Sequence, residues 1–256
     1  MRGFALSGNN LIAEELRALS PIAVNALHPA IEKTALIFDD GWFDEFNAQV
    51  LEIEGRNLHE PWKLCVLRGL AAANFGEIRQ LLTVAAMQGF GSTSALAARN
   101  LLELNIWSGY AGRSNVAMRR IFEDAGRDAK EIHEVLWALS KGDDSNQHPP
   151  PQTACGQEQL ATSAAAVGIT NLTGQYLAVK VAARELDPEL EFSRFNKILS
   201  KFAHPAAMTI IGNHTEASEV QVRGFSLGLG CNFFCGSIES LTTLLNKFTN
   251  ECSYPA

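Results

Sequence analysis

The chain has 256 residues, of which 46% are hydrophobic and 19% are charged, a composition typical of a globular protein with a sizeable core. A formal net charge of −7 argues against capture of nucleic acid by overall electrostatic attraction, but it does not exclude a local basic patch. The N-terminus has no long apolar stretch, and the least polar run, near 224–238, is too short to span a bilayer. We therefore expect a cytoplasmic protein without a membrane partner.

Helical periodicity dominates the sequence, whereas few segments alternate with the period of two that marks strands, so we predict an all-α fold. The first predicted helix covers 11–27 and is broken or kinked at Pro21. A second amphipathic stretch follows it. A long helix is then predicted over 62–87, in which we expect Gly69 and Gly76 to mark close packing against a neighbouring element.

The second half of the chain continues the helical pattern around one loop. We predict helices over 94–110 and 114–140, the first of them capped by Ser92 or Thr93. The polar, proline-rich segment 142–152 has the composition of a linker or mobile loop. The remaining predicted helices lie near 157–167, 174–186, 187–204, 213–222 and 225–250.

A narrow polar stripe crosses the predicted helix over 94–110, whose surface is otherwise almost entirely apolar. Arg99, Glu103 and Tyr110 lie along this stripe at i, i+4 and i+11. A helix that is apolar nearly all round is buried, so we expect Arg99 and Glu103 to be paired with each other and largely buried. Two interpretations remain open: a structural ion pair fixes the helix packing, or Glu103 orients Arg99 toward an anionic ligand.

The segment that ends at His204 carries a second candidate cluster. Its apolar residues form a core stripe, and Lys197, Ser200 and His204 fall on the opposite side at i, i+3 and i+7. Pro205 disfavours helical geometry at the preceding residue, which predicts that His204 lies at the C-terminus of the helix. A basic group, a hydroxyl and an imidazole on one face are suited to binding an anion or transferring protons, or they form only a solvated surface.

Two other sets of side chains receive structural interpretations. Acidic and basic residues are interleaved along the predicted helix over 114–140, which is typical of a solvated face, and the Glu-x-x-His pairs of a di-metal bundle are missing from the sequence. Cys231 and Cys235 lie four residues apart without further metal ligands, so we interpret the cysteines as buried, reduced thiols. The sequence therefore predicts neither a metal site nor a cofactor.

The segments 99–103 (RNLLE) and 197–204 (KILSKFAH) together resemble the domain-of-unknown-function 5677 family of bacterial helical proteins. The signature of that family is an Arg-x-x-x-Glu helix and a late Ser-x-x-x-His segment, here Arg99 with Glu103 and Ser200 with His204. The family looks related to the HEPN superfamily of antiparallel helical bundles, which includes nucleotide-binding and toxin-like proteins. The resemblance covers about 91–250.

The resemblance implies a HEPN-like antiparallel bundle over 91–250, with an additional N-terminal helical region over 1–90 packed on it. We expect the bundle to carry a polar pocket or interface for an anionic ligand, such as a nucleotide or an RNA phosphate. The expected ligand-binding residues are Arg99, Glu103, Tyr110 and Lys201, and the expected catalytic residues are Lys197, Ser200 and His204.

Enzyme activity remains open at this point. If the resemblance extends to activity, the chain would be a metal-independent ribonuclease in which His204 acts as general acid or base on a ribose hydroxyl. Catalytic HEPN ribonucleases, however, place their arginine and histidine in one short motif, which this sequence does not contain. The alternative is a structural or interaction module of a stress or defence system, for which a homodimer is one expected assembly.

Overall fold

The computed structural model describes residues 4–55, 62–141, 162, 165–166, 169, 175–186, 191–204 and 215–253. These residues form helices and turns without a β-strand, so the predicted all-α class is confirmed. The predicted loop over 142–152 lies outside the described residues, as does most of 157–167. The described α-helices are α1 (Phe4–Leu19), α2 (His28–Asp39), α3 (Trp42–Gly55), α4 (Trp62–Ala86), α5 (Gly91–Arg113), α6 (Asn115–Lys141), α7 (Val179–Leu186), α8 (Glu191–Ala203) and α9 (Glu216–Ser253).

Proline and glycine divide residues 4–55 into three α-helices. The first helix ends at Leu19, and Pro21 lies in the short 3-10 helix that follows it, so the predicted break is present. Gly41 adopts a φ of 67° in the turn between α2 and α3. Glycine reaches this left-handed conformation without the steric cost of a side chain, which explains why the turn forms at this position.

The long helix α9 runs without interruption through 223–224. The sequence pattern predicts a break there, between separate helices over 213–222 and 225–250, and this prediction was wrong. The glycines of α9 instead let neighbouring elements approach closely. A Cβ atom on Gly224 would overlap the carbonyl oxygen of Ile22, and one on Gly230 would overlap the side chain of Leu81. Gly69 and Gly76 of α4 behave in the opposite way, since both are exposed and neither has an atom near the place of its missing Cβ. The close packing expected at these two glycines is therefore absent.

One hydrophobic core joins the first and last helices of the described chain. Phe38 of α2, Phe75 of α4 and Phe234 of α9 form an aromatic cluster, in which Phe75 lies 5.2 Å from each of the other two ring centroids. The indole Nε1 of Trp42 also donates a hydrogen bond to Oγ1 of Thr242 at 3.0 Å. The early helices are thus part of the same core as the later ones, and the division of the chain at residue 90 stays a prediction.

Helix α5 occupies the centre of the bundle and packs against α4, α6, α7, α8 and α9. It begins at Gly91 and not at the predicted cap, and no side chain at its N-cap position, Phe90, bonds to the first turn. An open strip nevertheless remains along α5 between α4 and α8. The residues of this strip are exposed or half-buried: Leu96, Arg99, Asn100, Glu103, Leu104 and Trp107.

Candidate functional site

Arg99 is the centre of a polar network between α5 and α8. Its Nε donates a hydrogen bond to Oδ1 of Asn196 at 2.9 Å, and its Nη2 lies 3.2 Å from Oε1 of Glu103. Its Nη1 lies 3.4 Å from Nε2 of His204. All three nitrogens of the guanidinium therefore face polar groups, two of which belong to a helix about one hundred residues further along the chain. We call Arg99, Glu103, Asn196 and His204 the Arg99 network.

Helical spacing explains how α8 supplies two members of this network. Asn196, Ser200 and His204 are separated by four residues each, so they lie along one flank of the helix. His204 directly follows the last residue of α8, and its backbone N–H donates to the carbonyl oxygen of Ser200 at 3.1 Å. The imidazole is therefore at the C-terminal end of the helix, where the sequence predicts it.

The burial expected for Arg99 and Glu103 was wrong, although the two side chains are paired. Their side chains retain 27% and 31% of their accessible surface, because the strip of α5 between α4 and α8 is open. An ion pair at such a position contributes at most about 1 kcal/mol to stability, whereas breaking a fully buried pair costs about 3 kcal/mol or more. The half-exposed guanidinium is accessible to a ligand from solvent.

The two lysines of the predicted site lie beside the Arg99 network and are not members of it. Lys197 and Lys201 are both exposed, and one helical step of about 100° separates each of them from the flank that faces α5. Ser200 is half-buried on that flank, between Asn196 and His204. The structure thus brings His204 to Arg99 and leaves the lysines on the outer surface of α8.

Tyr110 does not join this site. It lies eleven residues after Arg99 in the same helix, a separation of about 16 Å along the axis. Its side chain is buried with Ala117 and Ala182 in a small apolar cluster between α5, α6 and α7. Burial is the main cause that raises the pKa of its hydroxyl. We therefore correct the expectation that Tyr110 lines the same pocket as Arg99.

Sequence reasoning overlooked two features of the site. The first is Asn196, which could have been found from its spacing of four and eight residues to Ser200 and His204. The second is a groove of about 520 Å³ between α4 and α5, whose lining includes Gly76, Glu77, Asn100, Glu103 and Trp107. Glu103 belongs to this groove and also to the Arg99 network. No sequence signal joined Glu77 to these residues, because it lies on a different helix and has no charged neighbour at helical spacing.

The carboxylate of Glu77 is the perturbed acid of the groove. Oε1 accepts a hydrogen bond from Nδ2 of Asn100 at 3.0 Å, and the side chain is half-buried. Burial raises the pKa of Glu77, and the hydrogen bond from Asn100 opposes this effect only in part. The protonated form is therefore favoured more strongly than in a solvated glutamate.

Several charged residues of α6 form buried or inter-segment contacts, although their sequence pattern is typical of a solvated face. Arg127 retains only 4% of its side-chain surface and pairs with both Glu123 and Asp124. Oδ2 of Asp124 also accepts a hydrogen bond from the backbone N–H of Leu177 at 2.9 Å. These acids thus hold the segment before α7 against α6, and this part of α6 is not simply a solvated face.

The structure describes the surroundings of three of the five cysteines and of the candidate metal ligands in the described part of the chain. Within it, no group of three or more His, Cys, Asp and Glu side chains is arranged to hold a metal ion. Cys231 and Cys235 are buried as predicted, and burial raises the pKa of Cys231 to about 12. Cys65 is exposed, which corrects the expectation of burial at that position.

Comparison with known proteins adds no relative to this description. No family model matches the chain, and neither does any curated protein or any solved structure. The resemblance to the domain-of-unknown-function 5677 family and to HEPN bundles therefore stays a prediction. In the described ranges, none of the helices combines the length and the apolar character needed to cross a membrane.

Proposed function

We propose that the Arg99 network binds the anionic group of a ligand, with the phosphate of a nucleotide or an RNA as the leading chemistry. The approach of Nη1 of Arg99 to Nε2 of His204, at 3.4 Å, is the observation that carries the proposal. An imidazole nitrogen that carries no hydrogen can accept a hydrogen bond from the guanidinium N–H at this distance. A bound phosphate would instead accept hydrogen bonds from both side chains, and charge-assisted bonds of this kind are strong.

The surroundings of the network favour an anion despite the acidic balance of the whole chain. Arg194, Lys197 and Lys201 are exposed on the neighbouring surface of α8. Only one carboxylate, that of Glu103, forms an ion pair with Arg99 among the contacts of the described residues. Asn196 is neutral and restrains the guanidinium through Nε, which leaves the charge of Arg99 uncompensated on that side. A local positive potential therefore lies next to the half-exposed guanidinium.

Titration calorimetry at low salt tests the proposal with inorganic phosphate, adenosine monophosphate and a short single-stranded RNA as probes. We expect Arg99→Gln and His204→Asn to weaken the binding of at least one probe by about tenfold or more, since each removes a charge-assisted hydrogen bond. Arg68→Gln is the matched control, because Arg68 also pairs with a glutamate at the surface but lies outside the site. Equal affinities in all four proteins, or no binding of any probe, would contradict the proposal.

A ribonuclease activity is the second candidate, and the same approach of His204 to Arg99 favours it. His204 would take the proton of a ribose 2′-hydroxyl as its oxygen bonds to the adjacent phosphorus, and Arg99 would stabilise the negative charge that develops on the phosphate. The bond from phosphorus to the 5′-oxygen of the next nucleotide would break, and that oxygen would leave with the proton held by His204. Cleavage of the RNA in the presence of a chelator, lost in His204→Asn and retained in Arg68→Gln, is the expected outcome for an enzyme. Binding without cleavage would leave the binding function alone.

An interaction module without a ligand site predicts a different result. In that case His204→Asn would change the oligomeric state or lower the melting temperature, and the three probes would not bind. Sedimentation measurements on the wild type and on the variant distinguish this outcome from ligand binding.

A further inference from the structure

We propose that the groove between α4 and α5 binds a small organic ammonium ion. This inference goes beyond the anion site, because it concerns the opposite side of the open strip on α5 and uses residues of α4 that do not belong to the Arg99 network. The groove has a volume of about 520 Å³, and its polar lining consists of two glutamates, Gln80 and Asn100. Trp107 forms part of its wall, and the missing side chain of Gly76 leaves space on the α4 side.

Glu77 supplies the first reason to expect a cation. In the described part of the chain, its carboxylate accepts one hydrogen bond, from the neutral amide of Asn100, and no lysine or arginine forms an ion pair with it. Partial removal of a carboxylate from water is unfavourable unless an opposite charge or several hydrogen bonds compensate it. An ammonium group bound beside Glu77 would provide the missing charge and up to three donors.

Glu103 supplies a second carboxylate on the facing helix. Its Oε1 lies 3.2 Å from Nη2 of Arg99, so this charge is only partly available to the groove. A carboxylate can nevertheless accept several hydrogen bonds at once, and Glu103 therefore contributes acceptor capacity without being released from Arg99. The combination of one unpaired and one shared carboxylate suits a single positive charge better than a divalent metal ion.

Trp107 and Gly76 define the type of cation. Trp107 is half-buried and lines the groove, and an indole ring attracts an organic cation that lies over its face through cation–π interaction. No atom lies within 4 Å of the position that a Cβ on Gly76 would take, so the groove is open there to an aliphatic chain. Two carboxylates would repel a phosphate or another anion. A primary alkylammonium therefore fits the lining better than an anion or a neutral sugar.

Putrescine is a suitable probe, and butane-1,4-diol is its uncharged counterpart of the same length. We expect putrescine to bind the wild type in calorimetry at low salt and to raise its melting temperature, whereas the diol has no effect. Sodium chloride at equal ionic strength controls for screening. If the diol binds as well as the diamine, or if neither binds, the proposal is overturned.

Two substitutions locate the binding. Glu77→Gln removes the unpaired charge and keeps an acceptor for Asn100, and Gly76→Leu fills the open space. Each should weaken putrescine binding by about tenfold or more. Gly112→Leu is the matched control for Gly76→Leu, because Gly112 is also helical with open space around it and does not line the groove.

The test of anion binding at the Arg99 network is independent of the test of ammonium binding in the groove. His204→Asn should weaken the binding of the anionic probe and leave putrescine binding intact, since His204 does not line the groove. Putrescine affinity that stays unchanged in both Glu77→Gln and Gly76→Leu would place the cation elsewhere and refute the inference. A parallel circular dichroism spectrum of each variant verifies that the loss of affinity does not come from unfolding.

Discussion

At the scale of single residues, the charge balance of Arg99 depends on the neutral side chain of Asn196. Asn196 holds the Nε atom of Arg99 without adding negative charge, whereas Glu103 neutralises part of the guanidinium from the other side. If Asn196 were a second carboxylate, Arg99 would be fully compensated and a poor anion receptor. Under the proposed function, this amide is therefore what distinguishes the network from a fully compensated ion pair.

Glu77 gives a prediction for the pH dependence of stability. Because burial raises its pKa in the folded state above the unfolded value of about 4.3, the folded protein binds this proton more tightly. Its contribution to stability is therefore greatest below the unfolded pKa and is lost as the pH rises through the folded pKa. Glu77→Gln removes this loss, so the variant should gain stability relative to the wild type as the pH is raised from 4 to 7, measured by urea unfolding.

Glu54→Gln is the control with the opposite sign. Arg68 lowers the pKa of Glu54 through a hydrogen bond, so this carboxylate favours the folded state above its unfolded pKa. The Gln variant should accordingly lose stability relative to the wild type over the same pH range. If the stability difference from the wild type changed with pH in the same direction for both variants, the environment of Glu77 would differ from the one described.

Local patterns made three of the four residues of the Arg99 network predictable from the sequence, but not their convergence. The pairing of Arg99 with Glu103 follows from a spacing of four residues on one helix, and so does the position of His204 at a helix end. The bond from Arg99 to Asn196 joins residues separated by 97 positions, and it depends on how α8 packs against α5. No periodicity within either segment contains that information.

At the scale of the elements, a glycine can either end a helix or allow a neighbouring element to approach a continuous one, and the sequence does not distinguish these two cases. Predicted helices end close to the observed ones where proline acts, as at Pro21, because proline removes a backbone donor in any context. Glycine only permits a break. In α9 the neighbouring backbone requires glycine at position 224, and the helix continues through it. The predicted division into 213–222 and 225–250 failed for this reason.

Gly224 and Gly69 should respond in opposite ways to the same substitution. Gly224→Ala places a methyl group on the carbonyl oxygen of Ile22, and since backbone cannot easily move away, we expect a destabilisation of about 3 kcal/mol or more. Gly69→Ala meets open space in the middle of α4 and should stabilise the protein by about 0.5–1 kcal/mol. Denaturant unfolding measures both free energies, and a tolerated Gly224→Ala would contradict the described approach of α9 to residues 20–22.

At the scale of the whole molecule, one core implies one cooperative unfolding transition. Phe38→Ala removes an aromatic ring that contacts both Phe75 and Phe234 and should cost about 3–5 kcal/mol. Variants that retain only Trp42 or only Trp107 should report the same shifted midpoint, because the two indoles lie in different parts of a single core. Separate transitions at the two probes would show that residues 1–90 unfold on their own.

The 38 residues of α9 extend over about 57 Å, and this helix completes contacts that begin near the start of the chain. Phe38 packs on Phe234 with a sequence separation of 196 positions, so most of the chain must be synthesised before this contact can form. Until then, α2, α4 and α5 lack a partner that packs against all three of them, and for α5 it is the most extensive partner. The order of synthesis therefore leaves apolar surface exposed on the newly made chain until α9 has left the ribosome, a state that favours aggregation, and closing such long loops slows the final step of folding.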